Sequence, residues 1–174
     1  MAVISSLPPH FAISDSLALQ KHVPSDAEAI FTMLERTPDI PKHVAFAKDI
    51  TRLDDVLPSL QSRSNEAIDG RYAIMAHYTL VGSVWAFPGS EEREFGIGYC
   101  LDHAARGNGY ATQAATTMVK QLQLLGANEI YFQIITGNTD SIAIPERLGC
   151  KPAEMIIGTD FPVEQQRWRL QLKA

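Results

Sequence analysis

The sequence predicts an α/β or α+β domain built on one sheet, and three observations carry that prediction. Short runs rich in β-branched and aromatic residues recur along the whole chain. One long segment, from Gly109 to Gly126, switches to helical spacing. From Glu94 onward the elements follow the order β-α-β-α-β-β, which asks for a sheet with helices packed against it. A chain of 174 residues with 45 % apolar content fills one core without needing a second, so a single domain over residues 1–174 is expected.

In SLALQKHVP, Leu17, Leu19, Lys21 and Val23 alternate with their neighbours until Pro24 ends the strand. Ser25 and Glu28 then stand at capping-box spacing ahead of the stripe Ala29, Ile30, Met33 and Leu34, predicting a helix over SDAEAIFTMLER. The segment TPDIPKHVAFAKDIT is interrupted by prolines, and Thr51 opens a further helix from Arg52 to about Asn65. RYAIMAH and LVGSVWAF read as a hairpin joined by Tyr78 and Thr79. EFGIGYCL is the next strand, with Phe95, Ile97 and Tyr99 on one face and Glu94, Gly96, Gly98 and Cys100 on the other. Ala111, Ala114, Ala115, Met118, Val119, Leu122 and Leu125 form the stripe of the strongest helix, which Gly126 stops. EIYFQIIT is a buried strand, DSIAIPERLG a short helix ended by Gly149, and KPAEMII and EQQRWRLQL are two more strands.

The net charge of −5, with scattered Lys and Arg, lacks the basic footprint of a nucleic-acid or anionic-membrane binder. Cys100 and Cys150 have neither CxxC spacing nor a histidine cluster, so neither a disulfide framework nor a metal site is expected. The start MAVISSLPPHFAIS lacks a basic leader and is broken by Pro8 and Pro9, and no apolar run reaches the roughly 18 residues of a membrane span. A soluble, cytoplasmic protein is the expectation.

The stretch RGNGYATQ, Arg106 to Gln113, places two glycines at the mouth of the predicted helix, where each costs about 1 kcal/mol relative to alanine. A strand that passes through a glycine loop into a helix presents unpaired N–H groups and the positive end of the helix dipole, which together suit a phosphate. Arg106 adds a positive charge. The same glycines also fit a tight turn that needs positive φ. GxxxxGK[ST] is absent, and a dinucleotide fingerprint would want glycine or alanine where Thr112 stands and an acidic residue at the end of the next strand, which Glu129 instead begins.

RGNGYA does fit R/Q-x-x-G-x-G/A. Together with LVGSVWAF, IGYCLDHAARGNGYATQAA, NEIYFQIITGNTDS and AIPERLGCKP, it makes the chain resemble the GNAT superfamily of N-acetyltransferases, and within it the ribosomal-protein-alanine acetyltransferase branch, over roughly Ala27 to Met155. The resemblance implies a mixed, mostly antiparallel sheet of about six to seven strands flanked by about four helices. It implies acetyl-CoA as co-substrate, no metal, and a primary amine as acceptor, either a protein N-terminus or a small molecule, acetylated directly in a ternary complex by a monomer or homodimer. Tyr99, Cys100 and Leu101 would pair through their backbones with the pantetheine arm, and Arg106, Gly107, Asn108, Gly109, Tyr110 and Ala111 would hold the pyrophosphate. Asn138 and Ser141 match the family's N-x-x-S close to the sulfur; as residues alone they equally fit a turn and a helix cap.

Acetyl transfer needs a neutral amine, a stabilised oxyanion and a proton for the departing thiolate. An α-amine with pKa near 8 asks less of a base than a lysine near 10.4. The branch commonly has a glutamate directly before I-G-Y, where this chain has Gly96; Glu94, about 7 Å along the strand, either serves as base through water or belongs to the charge run SEERE. Relatives often carry a tyrosine four residues after Ser141, where Pro145 stands here, leaving Ser141 as the proton donor. A backbone N–H near Cys100 would polarise the thioester carbonyl. Cys100 itself reads as a small sheet residue, and His43, His77 and His103 read as isolated side chains. A non-catalytic acyl-CoA-binding module, suggested by Gly96, Pro145 and Cys150, and a nucleotide-binding domain are the other two readings.

Overall fold

In the computed structural model, which describes residues 7–61 and 70–173, one sheet runs through the chain. Its strands are β1 (His10–Ala12), β2 (Leu17–Lys21), β3 (Arg71–Ala76), β4 (Thr79–Pro88), β5 (Glu94–Leu101), β6 (Glu129–Ile135), β7 (Lys151–Ile157) and β8 (Glu164–Gln171). They lie in the order β1-β2-β3-β4-β5-β6-β8-β7. Every neighbouring pair is antiparallel except β5 and β6. The strand count exceeds the expected six to seven because the start of the chain adds β1, whose Phe11 packs on Tyr72.

The α-helices are α1 (Ala27–Arg36), α2 (Ile40–His43), α3 (Val56–Gln61), α4 (Tyr110–Leu124) and α5 (Thr139–Arg147). On one face of the sheet α4 buries Ala111, Ala114, Ala115, Met118, Val119 and Leu122 against Phe95, Ile97, Ile130 and Phe132, and Ile144 of α5 joins them. Alanines fill the N-terminal half of that stripe, so the helix start lies close to the sheet. On the other face Ile30, Met33, Leu34, Ile40, Val44 and Val56 pack over Ala73 and Cys100. Each fully buried large side chain contributes about 1.5–3 kcal/mol, so both layers are needed for stability.

Three local expectations change. Asp26 stands at the N-cap of α1 in place of Ser25, after a 3-10 turn over Pro24–Asp26; its carboxylate accepts from Val23 N–H at 3.0 Å, tying down the chain before the helix. The helix expected from Arg52 opens with a 3-10 turn and becomes α3 at Val56; its expected end at Asn65 lies outside the described residues. The β3–β4 turn is His77–Tyr78, both at positive φ, so Thr79 already belongs to β4.

β5 and β6 pair over only three rungs: Glu94 with Glu129, Phe95 with Ile130, and Gly96 with Tyr131. Beyond Gly96 the two strands separate, β5 staying on β4 as far as Leu101 and β6 staying on β8 as far as Ile135. At the closed end of this fork sits Arg169 of β8. Its guanidinium bonds Glu94 of β5 at 2.5 Å, Glu129 of β6, and Glu154 of β7 through two nitrogens at 2.7 and 3.1 Å. Glu94 is 2 % exposed and also accepts from the N–H groups of Ser90 at 2.8 Å and Glu91 at 3.3 Å. A Cβ on Gly89 would collide with that carboxylate, so glycine is required there.

Burial pushes the Glu94 carboxyl up, but the Arg169 hydrogen bond and the two turn N–H groups outweigh it and hold it below the usual carboxylate range. A depressed folded-state pKa contributes stability above the unfolded value near 4.3 and loses it as the pH falls through the folded one. Glu94→Gln is therefore expected to destabilise the protein by about 2 kcal/mol at pH 7. The deficit should shrink as the pH is lowered below the unfolded carboxylate value, which urea titrations of both proteins at pH 7 and along an acid series measure.

Candidate active site

The open end of the fork is a cleft of ≈ 580 Å³ that reaches from α4 and α5 to α2 on the far side of the sheet. Its backbone walls differ in what they offer. Asp102 N–H bonds the carbonyl of Val81 at 2.8 Å. By the alternation of an antiparallel ladder, the even-numbered residues of β5 turn their N–H and C=O toward β4, and the odd-numbered ones turn theirs toward the fork. Tyr99 thus turns its N–H and C=O to the cleft and Leu101 its N–H, while the Leu101 carbonyl accepts from Arg106 at 3.4 Å. Cys100 turns neither group that way: its backbone is spent on Ser83, and it lines the cleft by its side chain alone. The donor expected near Cys100 accordingly falls to its neighbours.

The N-terminus of α4 points into the same cleft. Gly109, at φ 75°, is its N-cap and supplies no side-chain cap, so the first-turn N–H groups remain free. Gly107 has φ 81°, and a Cβ placed there would meet nothing within 4 Å. The two glycines serve the turn, since both lie at positive φ, and at the same time leave room before the helix dipole. This cradle suits a pyrophosphate.

Three consecutive ties hold the loop between β5 and α4. Arg36 bonds Asp102 at 2.7 Å, Thr37 Oγ1 accepts from His103 N–H at 3.0 Å, and Asp39 accepts from Arg106 at 2.7 Å. Arg106 also donates to the Leu101 carbonyl at 3.4 Å. Its charge, expected beside the phosphates, is here shared with Asp39. Asn108 closes the loop through its side-chain amide, which donates to the carbonyls of Ala105 and Arg106, and it does not line the cleft.

Across the fork, Asn138 caps α5 by accepting from Ser141 N–H at 3.4 Å, which places Ser141 in the first turn with its side chain at the cleft. Pro145 has no N–H, so the Ser141 carbonyl lacks the partner that an α-helix would give it from position i+4. The hydroxyl of Tyr99 fills that vacancy, donating at 2.7 Å from β5. One phenol therefore satisfies the carbonyl that the proline orphans and links the two sides of the cleft. Burial raises the Tyr99 pKa, with Cys150 adding to the effect, so the phenol keeps its proton.

The cleft thus brings together Tyr99, Cys100, Leu101, Arg106, Gly107, Gly109, Tyr110, Ala111, Asn138 and Ser141, and leaves out Asn108 and Glu94. Glu94 is a correction: it is fixed by Arg169 at the closed end of the fork and is not at hand as a base. Position 96, where the branch commonly has a glutamate, lies under the ring of Phe87, and Gly98 lies under Trp85; a Cβ at either would stand 2.3 Å from the ring above it. Burial pushes the Cys100 thiol up to about 12, which fits the small-sheet-residue reading. Asp26, His22 and Ser83 form a hydrogen-bonded line at 3.1 and 3.0 Å in the order of an acid–base–nucleophile triad. Ser83 is 2 % exposed and outside the cleft, so the line ties β4 to the end of β2.

The sequence reading missed Trp85, Asp39 and Ile40, and it took His43, which also lines the cleft, for an isolated side chain. Trp85 had a signal: aromatics at 85 and 87 on one strand and glycines at 96 and 98 on the next.

Residues 16–151 match the acetyltransferase (GNAT) domain family, and the chain belongs to it. No curated protein matches the sequence. Among solved structures the fold is similar to that of the microcin self-immunity acetyltransferase MccE in complex with acetyl-CoA and AMP, with TM-score 0.81 and 17 % identity over 97 % of this chain and 99 % of that one. It is also similar to RimL, a ribosomal α-N-protein acetyltransferase, in complex with coenzyme A, with TM-score 0.80 and 13 % identity over 94 % and 98 %. A probable acetyltransferase gives TM-score 0.80 and 18 % identity over 93 % and 96 %. At these identities the likeness is one of fold.

Pairing of the proline with the phenol has a measurable signature. Tyr99→Phe should cost about 1–2 kcal/mol in urea unfolding by leaving the Ser141 carbonyl unpaired. In a Pro145→Ala background, where the helix regains its N–H, the same change should cost about 0.5 kcal/mol or less. Equal costs in both backgrounds would break the link.

Proposed function

We propose that this acetyltransferase moves the acetyl group of acetyl-CoA onto a primary amine, a protein N-terminus or a small-molecule amine, by direct transfer in a ternary complex. The observation that carries the reading is the uncapped N-terminus of α4 at the mouth of a fork whose β5 edge has unpaired backbone groups. Gly107, Gly109, Tyr110 and Ala111 would take the pyrophosphate, and Tyr99 and Leu101 would take the pantetheine amides. That places the sulfur toward Ser141, where the family's N-x-x-S falls.

Acetyl-CoA supplies an activated acyl group with a thiolate as leaving group. The protein orients it along β5, offers free backbone N–H donors on that edge to a carbonyl gaining negative charge, and holds the Ser141 hydroxyl ready to protonate sulfur. Asn138 fixes Ser141 by capping α5, and Tyr99 backs it with a protonated phenol. The likeness to a ribosomal-protein acetyltransferase supports a protein N-terminus as acceptor, and the likeness to MccE supports a small molecule. The rival reading, an acyl-CoA-binding module without turnover, draws on Phe87 over Gly96 and on Pro145; it predicts binding without thiol release from any amine.

Calorimetry tests the cofactor site. Gly109→Asp should weaken acetyl-CoA binding at least about tenfold, because its carboxylate would meet the pyrophosphate at contact distance. Gly109→Asn, which has nearly the same shape and tolerates positive φ, should weaken it less. Equal affinities for all three proteins would move the site elsewhere. For the proton donor, Ser141→Ala should lower kcat by about 10- to 100-fold with little change in KM for acetyl-CoA, since donation to the thiolate occurs in the transition state. A change in KM alone would make Ser141 a binding residue.

A further inference from the structure

With Glu94 held by Arg169, the cleft needs another group to take a proton from the acceptor, and we infer that His43 is that general base, with Asp39 as its support. The inference rests on the acetyltransferase reading and names the residue that this reading leaves open. His43 ends α2 and lines the cleft. Its Nδ1 lies 3.0 Å from the backbone carbonyl of Asp39. A carbonyl only accepts, so Nδ1 carries the hydrogen and Nε2 of the neutral ring keeps its lone pair.

Asp39 supplies a second element. Burial raises its pKa, but the hydrogen bond and charge of Arg106 outweigh that, with a smaller contribution from His43, so the carboxylate stays ionised beside the ring. An imidazolium formed at His43 therefore has a negative charge within reach and a fixed Nδ1–H bond, the two supports a histidine base requires. The other charged groups at the cleft are Arg106 on the loop after β5 and Asp140 and Arg147 on α5. Of the side chains lining the cleft, Cys100 and Tyr99 hold their protons, Arg106 and Arg147 are cations, Asp39 is committed to Arg106, and Asp140 sits in the first turn of α5, on the other side of the cleft from α2.

The step balances as follows. Nε2 of His43 removes one proton from the acceptor ammonium, directly or through one water. The freed nitrogen pair forms the C–N bond, and the C–S bond breaks with its electron pair left on sulfur. The second nitrogen proton makes up the balance on sulfur by way of the Ser141 hydroxyl, and His43 returns its proton to solvent.

The probes are a tripeptide with a free N-terminal serine, benzylamine and spermidine, each with acetyl-CoA, and hydroxylamine, which is neutral at pH 7 and needs no base. For any amine that the wild type acetylates, His43→Gln should lower kcat/KM at pH 7 by about 100-fold. Acetyl-CoA affinity and the urea midpoint should not change, because the side chain is exposed and outside the cradle. The deficit should narrow as the pH passes the acceptor's own pKa, and any hydroxylamine rate should change by less than about threefold. An equal loss with hydroxylamine and the amines, a deficit that does not change with pH, or rates equal to wild type would overturn the role of His43 while leaving the acetyltransferase reading in place. Wild-type protein that binds acetyl-CoA but releases no thiol with any probe would overturn both.

Discussion

Arg169 is where the geometry of the site begins. A sheet that stayed closed between β5 and β6 would have no cleft, and one that opened along its whole length would lose the contact that sets the two strands in register. The guanidinium resolves this by holding Glu94 and Glu129, which face each other on the first closed rung, together with Glu154 of β7. The clamp is stable because the positive group is shared. The carboxyl of Glu154, held chiefly by its hydrogen bond to Arg169, is pulled down to about 2, and Glu94 is held low in spite of its burial. Everything beyond Gly96 can then diverge without unzipping the sheet, since β4 and β8 keep the outer edges of the fork paired.

The divergent strands expose two chemically different faces of one cleft. Toward α4 it offers backbone N–H groups, a helix dipole and two glycines, which select for an anion and need no particular side chain. Toward α2 it offers Trp85, the apolar residues Ile40 and Val44, and the Asp39–His43 pair, which suit an amine with an apolar flank. Ties from Arg36, Thr37 and Asp39 to the β5–α4 loop join the faces. Because Asp39 bonds both the β5–α4 loop and the His43 ring, the two halves of the cleft share one element at their boundary.

What was legible in the sequence was local. The helix predicted between Gly109 and Gly126 is found at Tyr110–Leu124, because its alanine and leucine stripe and its flanking glycines determine it without reference to distant residues. The strand faces of EFGIGYCL were legible for the same reason: Phe95 and Ile97 enter one core layer and Cys100 the other. Glu94 was misjudged because alternation shows which face a side chain takes but not that an arginine 75 residues later will occupy it. Asp39 was missed and His43 was read as isolated because a four-residue helix shows no periodicity, and its place at the cleft is set by contacts with a loop more than sixty residues away.

Pro145 shows how a departure from the family pattern is absorbed. A proline in the last turn of a nine-residue helix removes one of its few hydrogen bonds and crowds the carbonyl four residues back, at a cost of about 3 kcal/mol when nothing compensates. Here the carbonyl belongs to Ser141, the residue the cleft needs held, and the phenol that reaches it comes from the β5 strand proposed to carry the pantetheine arm. The position that gives many relatives a tyrosine hydroxyl gives this chain a vacancy, and a hydroxyl arrives from the opposite wall to fill it. Any movement that widened the fork would break that bond, so the departure links the spacing of the two walls to the integrity of α5's first turn. Ser141 is thereby positioned from both sides: by the Asn138 cap along its own helix and by Tyr99 across the gap.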